Sequence, residues 1–438
     1  MSRSDDIRAT VEQQVINAYP DNTAPGAAVL LVKDGEILCR TAVGRANLEH
    51  QIPMQPGMPF PLASLTKPIT CTAVLQLVES GQLALNDTID RLLPGYPRGE
   101  TPVTVEHLMT HTSGIPEYTE LPAWWAIHRQ DVSTGQLMDL FKALPHAFPP
   151  GTEWLYSNSG YLVLGAIIEA VSGMSYGEFV SRHIFAPLGM SSTFYDPDPG
   201  RIVPHLVSGY SRVPGGYANA EYFSLTHFHA VGGLTSTVDD LARWFAALRA
   251  GTLISAQSFR SMWTPYRLRD GRSARYGYGW WLGTCLGQPG AEHYGSRPGF
   301  SNYLLALPDD DLLVVILSND DGKLNRVEHL AVELAGAALG KPYQPPAPFP
   351  LPAPELGRLA GTYRTREGTL LTLVFEAGQL TLRNPAGEQF MLQPMTPGEF
   401  FFPEIPESRI VFSGEENGGT TLEWRPRRGI PVKARKTA

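Results

Sequence analysis

The chain has 438 residues, 43% hydrophobic and 18% charged, with a formal net charge of −8 and a pI near 5.8. That length predicts two or three domains with sizeable cores, and the acidic balance argues against nucleic acid or another polyanion as partner. No apolar run approaches the roughly 18 residues that a membrane-spanning helix needs, and three cysteines, Cys39, Cys71 and Cys285, supply no disulfide framework.

The first 20 residues hold Asp5, Asp6 and Glu12 and no apolar core of a signal peptide. A cytoplasmic location is the expectation; a chain trimmed of its leader would read the same and be periplasmic or secreted. Ala27–Val32 and Ile37–Val43 are apolar runs joined by Lys33-Asp34-Gly35-Glu36, a hairpin. Ser64-Leu65-Thr66-Lys67 comes next. It is the one S-x-x-K in a chain with seven lysines. Residues three apart share a helix face with their Cβ atoms about 5–6 Å apart, so a hydroxyl stands beside an amine that could take its proton. The apolar text from Ile69 to Ser80, stopped by Gly81, predicts a buried helix whose positive end favours an alkoxide at Ser64. An ordinary lysine is protonated at neutral pH, so the reading requires Lys67 to be enclosed. The plain alternative is a helix-capping serine followed by a surface lysine.

Further along, His107 and His111 have the i, i+4 spacing of zinc ligands, but position 108 is leucine where the metalloprotease pattern has glutamate. Tyr156-Ser157-Asn158 follows the Pro149-Pro150-Gly151 turn and precedes an apolar helix, Tyr161 to Val171. A tyrosine there relays a proton, and an asparagine holds a substrate amide. Gly173-Met174-Ser175-Tyr176-Gly177 matches the nucleophile elbow G-x-S-x-G, yet helical text precedes it where the elbow needs a strand. Ser175 with Glu178 reads instead as a capping box. His227 and His229 form another metal-like pair without a third ligand. The residues therefore call for no metal and no cofactor. His293-Tyr294-Gly295-Ser296 follows, with Arg297 just beyond. Gly295 lets a backbone approach a ligand closely, and the Ser296 N–H could face a developing oxyanion.

The three motifs, in this order, resemble those of the penicillin-binding-protein and class C β-lactamase superfamily. Two connecting segments, His107–Gly114 and Gly232–Thr237 before Asp239-Asp240-Leu241, are similar to that family's as well. The resemblance spans about residues 20–340. It implies an α+β fold: one antiparallel sheet built from strands at both ends of the domain, flanked by helices, with a helical subdomain beside it and the site at their junction. It implies Ser64 as nucleophile, Lys67 and Tyr156 sharing the general-base work, backbone N–H groups of Ser64 and Ser296 as the oxyanion hole, and Asn158 on a substrate carbonyl or amide. His293 stands among the catalytic positions, where many members carry lysine. It is less reliably cationic, which weakens the case for a β-lactamase that grips a carboxylate; Arg297 is a second source of that charge. The activity implied is a serine hydrolase acting through an acyl-enzyme on small amides, D-residue peptides or esters. β-Lactamase action, and a non-catalytic penicillin-binding or assembly role, are the alternatives.

The catalytic text is completed by strands at Tyr303–Leu307 and Leu312–Leu317 and a helix from Asn325 to Leu339, placing a first domain at 1–340. Seven prolines between Pro342 and Pro354 predict a stiff linker over 341–354. Beyond it, eight short strands near 359–365, 369–376, 378–383, 389–393, 398–402, 408–413, 420–425 and 430–434 predict a small all-β barrel or sandwich at 355–438. This tail looks like the lipocalin-like domain of some such hydrolases, with capping of the cleft or assembly as its role. The basic run Arg425–Lys436 reads as a solvated edge. Tyr118, Trp124, Trp125 and Tyr222 are aromatic candidates for the cleft. The partner is a small-molecule or peptide substrate, and homo-oligomerisation stays open.

Overall fold

The computed structural model describes residues 3–437 apart from 196, 199, 366, 367, 384–388, 404, 415–419, 429 and 430. The chain divides into two compact units, Met1–Pro342 and Tyr343–Ala438.

The first unit is built on α1 (Arg3–Ala18), β1 (Ala27–Lys33), β2 (Glu36–Val43), α2 (Thr66–Glu79), α3 (Asn158–Ser172), α4 (Val238–Arg249), β3 (Trp281–Cys285), β4 (Gln288–Arg297), β5 (Phe300–Leu307), β6 (Leu312–Ser318) and α5 (Leu324–Leu339). Six strands form one antiparallel sheet in the order β3-β4-β5-β6-β1-β2. The chain therefore closes on itself where β1 meets β6, with Ala27 opposite Ser318 and Lys33 opposite Leu312. β5 and β6 are buried along their whole length. That fits a sheet covered on both faces, where strands read as continuous apolar runs. α1 and α5 pack on one face, and α4 and the turn before α2 pack on the other. The helical subdomain spans residues between β2 and β3, as expected.

Both ends of α3 carry their signals. Ser157 caps it by accepting from Gly160 N at 3.1 Å, and Gly173 ends it at φ 71°. In α2, Pro68 falls in the first turn, where a missing N–H costs nothing. Among the described residues, no single helix is long and apolar enough to cross a membrane.

The second unit is a closed barrel of eight consecutive antiparallel strands, and β-closure pairs Tyr363 with Lys436 and Thr365 with Ala434. Observed strands begin at Gly361, Leu370, Gln379, Gln389, Glu399, Ile405, Thr420 and Val432. All eight expected strands are present; residue 430, where the last was expected to start, lies outside the described residues. Leu371, Leu373, Leu382, Phe400, Ile410 and Leu422 are among the side chains that fill the barrel. The proline-rich stretch is only partly a connector. Phe349 N donates to Pro394 O at 2.7 Å, and Leu351 packs against the barrel core. Ala353–Leu359 then forms a helix that buries Leu356 there. Pro354 opens that helix because proline suits a first turn, which hid it among the other prolines.

Candidate active site

Ser64 lies in a single 3₁₀ turn, Ala63–Leu65, that runs directly into α2. Ala63 has φ 50°, a left-handed conformation uncommon for a residue with a side chain. The turn leaves Ser64 partly exposed at the helix start, while Lys67 has no exposed surface. Lys67 Nζ stands 3.0 Å from Ser64 Oγ, 2.9 Å from Asn158 Oδ1 and 3.0 Å from Val231 O. Two of these partners are carbonyl oxygens, which only accept. A neutral amine has two hydrogens and one lone pair. As an ammonium Lys67 donates to all three oxygens; as a neutral amine its two hydrogens go to the carbonyls and its lone pair faces the Ser64 O–H. Burial makes the neutral form accessible: it draws the Lys67 pKa down to about 7, against a smaller upward pull from Glu117.

Tyr156 and Asn158 reach the site from the start of α3. The Tyr156 ring centroid is 4.8 Å from Lys67 Nζ, and the Tyr161 ring stands 5.3 Å from the same atom. Behind Tyr156 lies His111, buried and itself left-handed at φ 58°. Its ring is 4.3 Å from that of Tyr156 and 4.7 Å from that of Tyr276. His111 Nδ1 accepts from Ser157 N at 3.0 Å, and burial holds its pKa well below the usual histidine range. His111 thus works as a fixed neutral acceptor.

β4 brings in the third motif. A Cβ on Gly295 would sit 2.1 Å from Leu62 O and 3.3 Å from Leu65 N. Only glycine lets this strand lie against the Ser64 turn, which brings the Ser296 backbone alongside it. His293 is fully buried, with Nδ1 2.7 Å from Tyr294 O and Nε2 3.0 Å from the Tyr276 hydroxyl. The carbonyl can only accept, so Nδ1 carries a hydrogen, and Nε2 shares one with the Tyr276 hydroxyl. His293 belongs to an aromatic wall behind Tyr156, its ring centroid 6.3 Å from that tyrosine's. Arg297 lies on the same face of β4, two residues beyond Gly295. Its guanidinium stands over the Phe228 ring at 5.3 Å, and burial lowers its pKa to about 10, which leaves it cationic.

Four other sequence features resolve as structure. His107 Nδ1 accepts from Thr104 N at 3.2 Å, closing a capping box. Ser175 caps its helix with Glu178 in the same way. His227 lies between Trp124 Nε1 at 2.9 Å and Gln130 O at 2.8 Å, and His229 pairs with Glu169 at 3.0 Å. Of the aromatic candidates, Tyr118 and Trp124 are core residues, whereas Trp125 and Tyr222 are half exposed. Two contributors carry no motif. Val231 acts through its carbonyl, so its side chain encodes nothing about the role. Glu117 lies in a loop, at no spacing from the nucleophile that a pattern would single out.

The family profile described as Beta-lactamase matches residues 7–338. The chain belongs to the β-lactamase family. Penicillin-binding protein 4* of Bacillus subtilis (strain 168) is 31% identical over 401 residues, covering 85% of this chain and 87% of its own. A D-aminopeptidase of Gluconobacter oxydans (strain 621H) is 28% identical, covering 83% of this chain and 67% of its own. In fold, an octameric penicillin-binding protein homologue from Pyrococcus abyssi superposes with a TM-score of 0.70 at 24% identity, over 98% of this chain and 99% of its own. This member of the β-lactamase family is thus a serine-hydrolase-type protein related to penicillin-binding proteins and D-aminopeptidases.

Proposed function

We propose that the protein hydrolyses small amides, D-residue peptides or esters through an acyl-enzyme on Ser64. The observation that carries this is the coordination of Lys67, two carbonyl acceptors and one serine hydroxyl, which fits an amine acting as base. In the proposed reaction Ser64 Oγ attacks the acyl carbon and its proton passes to Lys67 Nζ. The tetrahedral oxyanion is held by the backbone N–H groups of Ser64 and Ser296. Tyr156 passes a proton to the leaving group as its bond to the acyl carbon breaks, and the serine proton held by Lys67 restores the Tyr156 hydroxyl. Water then attacks the ester, giving its proton to the same relay, and Ser64 regains its hydrogen. Asn158 gives its side-chain oxygen to Lys67, which leaves its amide hydrogens for a substrate carbonyl. His293 supports the reaction by fixing the wall behind Tyr156.

Arg297 favours a second reading within this activity, a substrate whose carboxylate it binds, such as a D,D-peptide or a β-lactam. One panel tests both: D- and L-aminoacyl amides, short esters, a D,D-dipeptide and a penicillin, with wild type, Ser64→Ala and Arg297→Met. Turnover of esters and D-amides that disappears in Ser64→Ala is the expected result, and a preference for L-peptides contradicts it. A charge-assisted contact is worth about 1.5–3 kcal/mol. Arg297→Met should therefore weaken kcat/KM for carboxylate-bearing substrates by about 10–100-fold and spare the esters. An equal effect on both removes the carboxylate reading.

A further inference from the structure

We propose that Glu117 is a positioning residue of this site: its carboxylate fixes the first turn of α3, and through Asn158 it fixes the Lys67 amine. The inference rests on the assignment of Ser64 and Lys67 above. Glu117 comes from the loop between Gly114 and Leu121 and is half-buried beside the start of α3. Oε2 accepts from Asn158 N in a short hydrogen bond and from Ser159 N at 3.4 Å. Oε1 accepts from Thr119 N at 3.1 Å and Thr119 Oγ1 at 2.7 Å. Three of these four donors are backbone N–H groups, which cannot accept, an arrangement that suits the carboxylate.

The loop is tied to α3 from its other side as well. Tyr118 N donates to Ser159 Oγ at 2.8 Å, and that hydroxyl donates to Pro116 O at 2.6 Å. One step earlier, Ser157 N is held by His111, and Leu155 N donates to His111 O at 3.0 Å. Backbone N–H groups on both sides of Tyr156, and that of Asn158, therefore hang on residues 111–118. Glu117 is the charged point of that support, and it stands at a helix N-terminus, where a negative charge is stabilising. The chain Glu117, Asn158, Lys67, Ser64 is continuous.

The groups around Lys67 isolate the electrostatic part. They are Cys71, Tyr156, Tyr161, His111, His293 and Glu117. Burial drives the Cys71 thiol up to about 12 and the Tyr161 hydroxyl well above its usual range, and it holds His111 neutral. His293 is tied to Tyr294 O and the Tyr276 hydroxyl. Burial raises the Glu117 pKa above the usual carboxylate value, and Thr119, Asn158 N–H and Lys67 pull against that rise without reversing it. Of these groups Glu117 exerts the largest upward pull on Lys67, so its carboxylate form favours the ammonium. Removing the charge lowers the pH at which Lys67 becomes a base.

The test is the rate at which a fluorophosphonate labels Ser64, followed by mass spectrometry from pH 5 to 9, in wild type, Glu117→Gln and Glu117→Ala. Gln removes the charge and keeps a single acceptor oxygen, so the donors of either Asn158 or Thr119 face an NH2 group and the support of the turn is weakened. Both variants should label about 10–100-fold more slowly on the plateau, and in Glu117→Gln the acid limb should move to lower pH. A role confined to holding the loop would lower Tm and leave the limb in place, which overturns the electrostatic part. Unchanged rates and an unchanged limb in a folded Glu117→Gln overturn the proposal entirely. Absence of labelling in wild type would instead sink the Ser64 assignment, so the two failures are distinguishable.

Discussion

At the scale of single residues, the proposed reaction turns on Lys67. A lysine within three positions of a serine is legible in any sequence, but its protonation state is not, because that depends on what encloses it. Here the enclosure is Asn158 Oδ1, Val231 O and two tyrosine rings. Of these, Asn158 belongs to a recognisable motif and Val231 contributes only backbone. The same limit applies to Glu117, whose role depends on a fold that brings it to the start of α3. The pH dependence follows with a definite sign. The base form of Lys67 is the neutral amine, whose pKa lies at about 7. Ser64 acylation should therefore rise with pH and level off above that value, falling about tenfold per unit below it. A stopped assay of kcat/KM between pH 5 and 9 checks this. A rate flat across the range contradicts Lys67 as the base.

At the scale of elements, the sequence was most readable where one periodicity ran uninterrupted. β1, β2, β5, β6 and α5 appear within a few residues of their expected bounds, since their apolar runs leave no competing reading. β3 and β4 complete the sheet yet were absent from the expected strands. Gln288–Arg297 reads Gln-Pro-Gly-Ala-Glu-His-Tyr-Gly-Ser-Arg, rich in residues that strands avoid. Gly295 is there because the Ser64 turn occupies the space of a side chain, and His293 and Arg297 share its face of the strand. Tertiary demand overrides propensity at the functional edge. Gly295→Ala tests the packing. A methyl 2.1 Å from Leu62 O forces strand and turn apart. Overpacking of this kind costs about 1–3 kcal/mol, so Tm should fall and Ser64 labelling should drop by at least about tenfold. Normal Tm and normal labelling would show that β4 does not press on the turn.

At the scale of the whole molecule, the sequence shows two bodies of different texture. Glycine, proline and asparagine punctuate the last hundred residues at even intervals, and each interval is a barrel strand. The same punctuation obscured the helix Ala353–Leu359, because proline density reads as linker whether or not the segment packs. The catalytic unit was legible as a family before it was legible as a fold. Its motifs lie far apart in the chain, and only the closing of β1 on β6 and the seating of β4 on the Ser64 turn explain why they meet. The account stands on Ser64 being the atom that is acylated. The most direct measurement is intact-protein and peptide mass spectrometry of wild type and Ser64→Ala after exposure to a fluorophosphonate and, separately, to a penicillin. The account predicts a single fluorophosphonate adduct, mapped to Ser64 and absent from Ser64→Ala, and any penicillin adduct at the same residue. An adduct at another residue, or no fluorophosphonate adduct in a folded wild type, would contradict it.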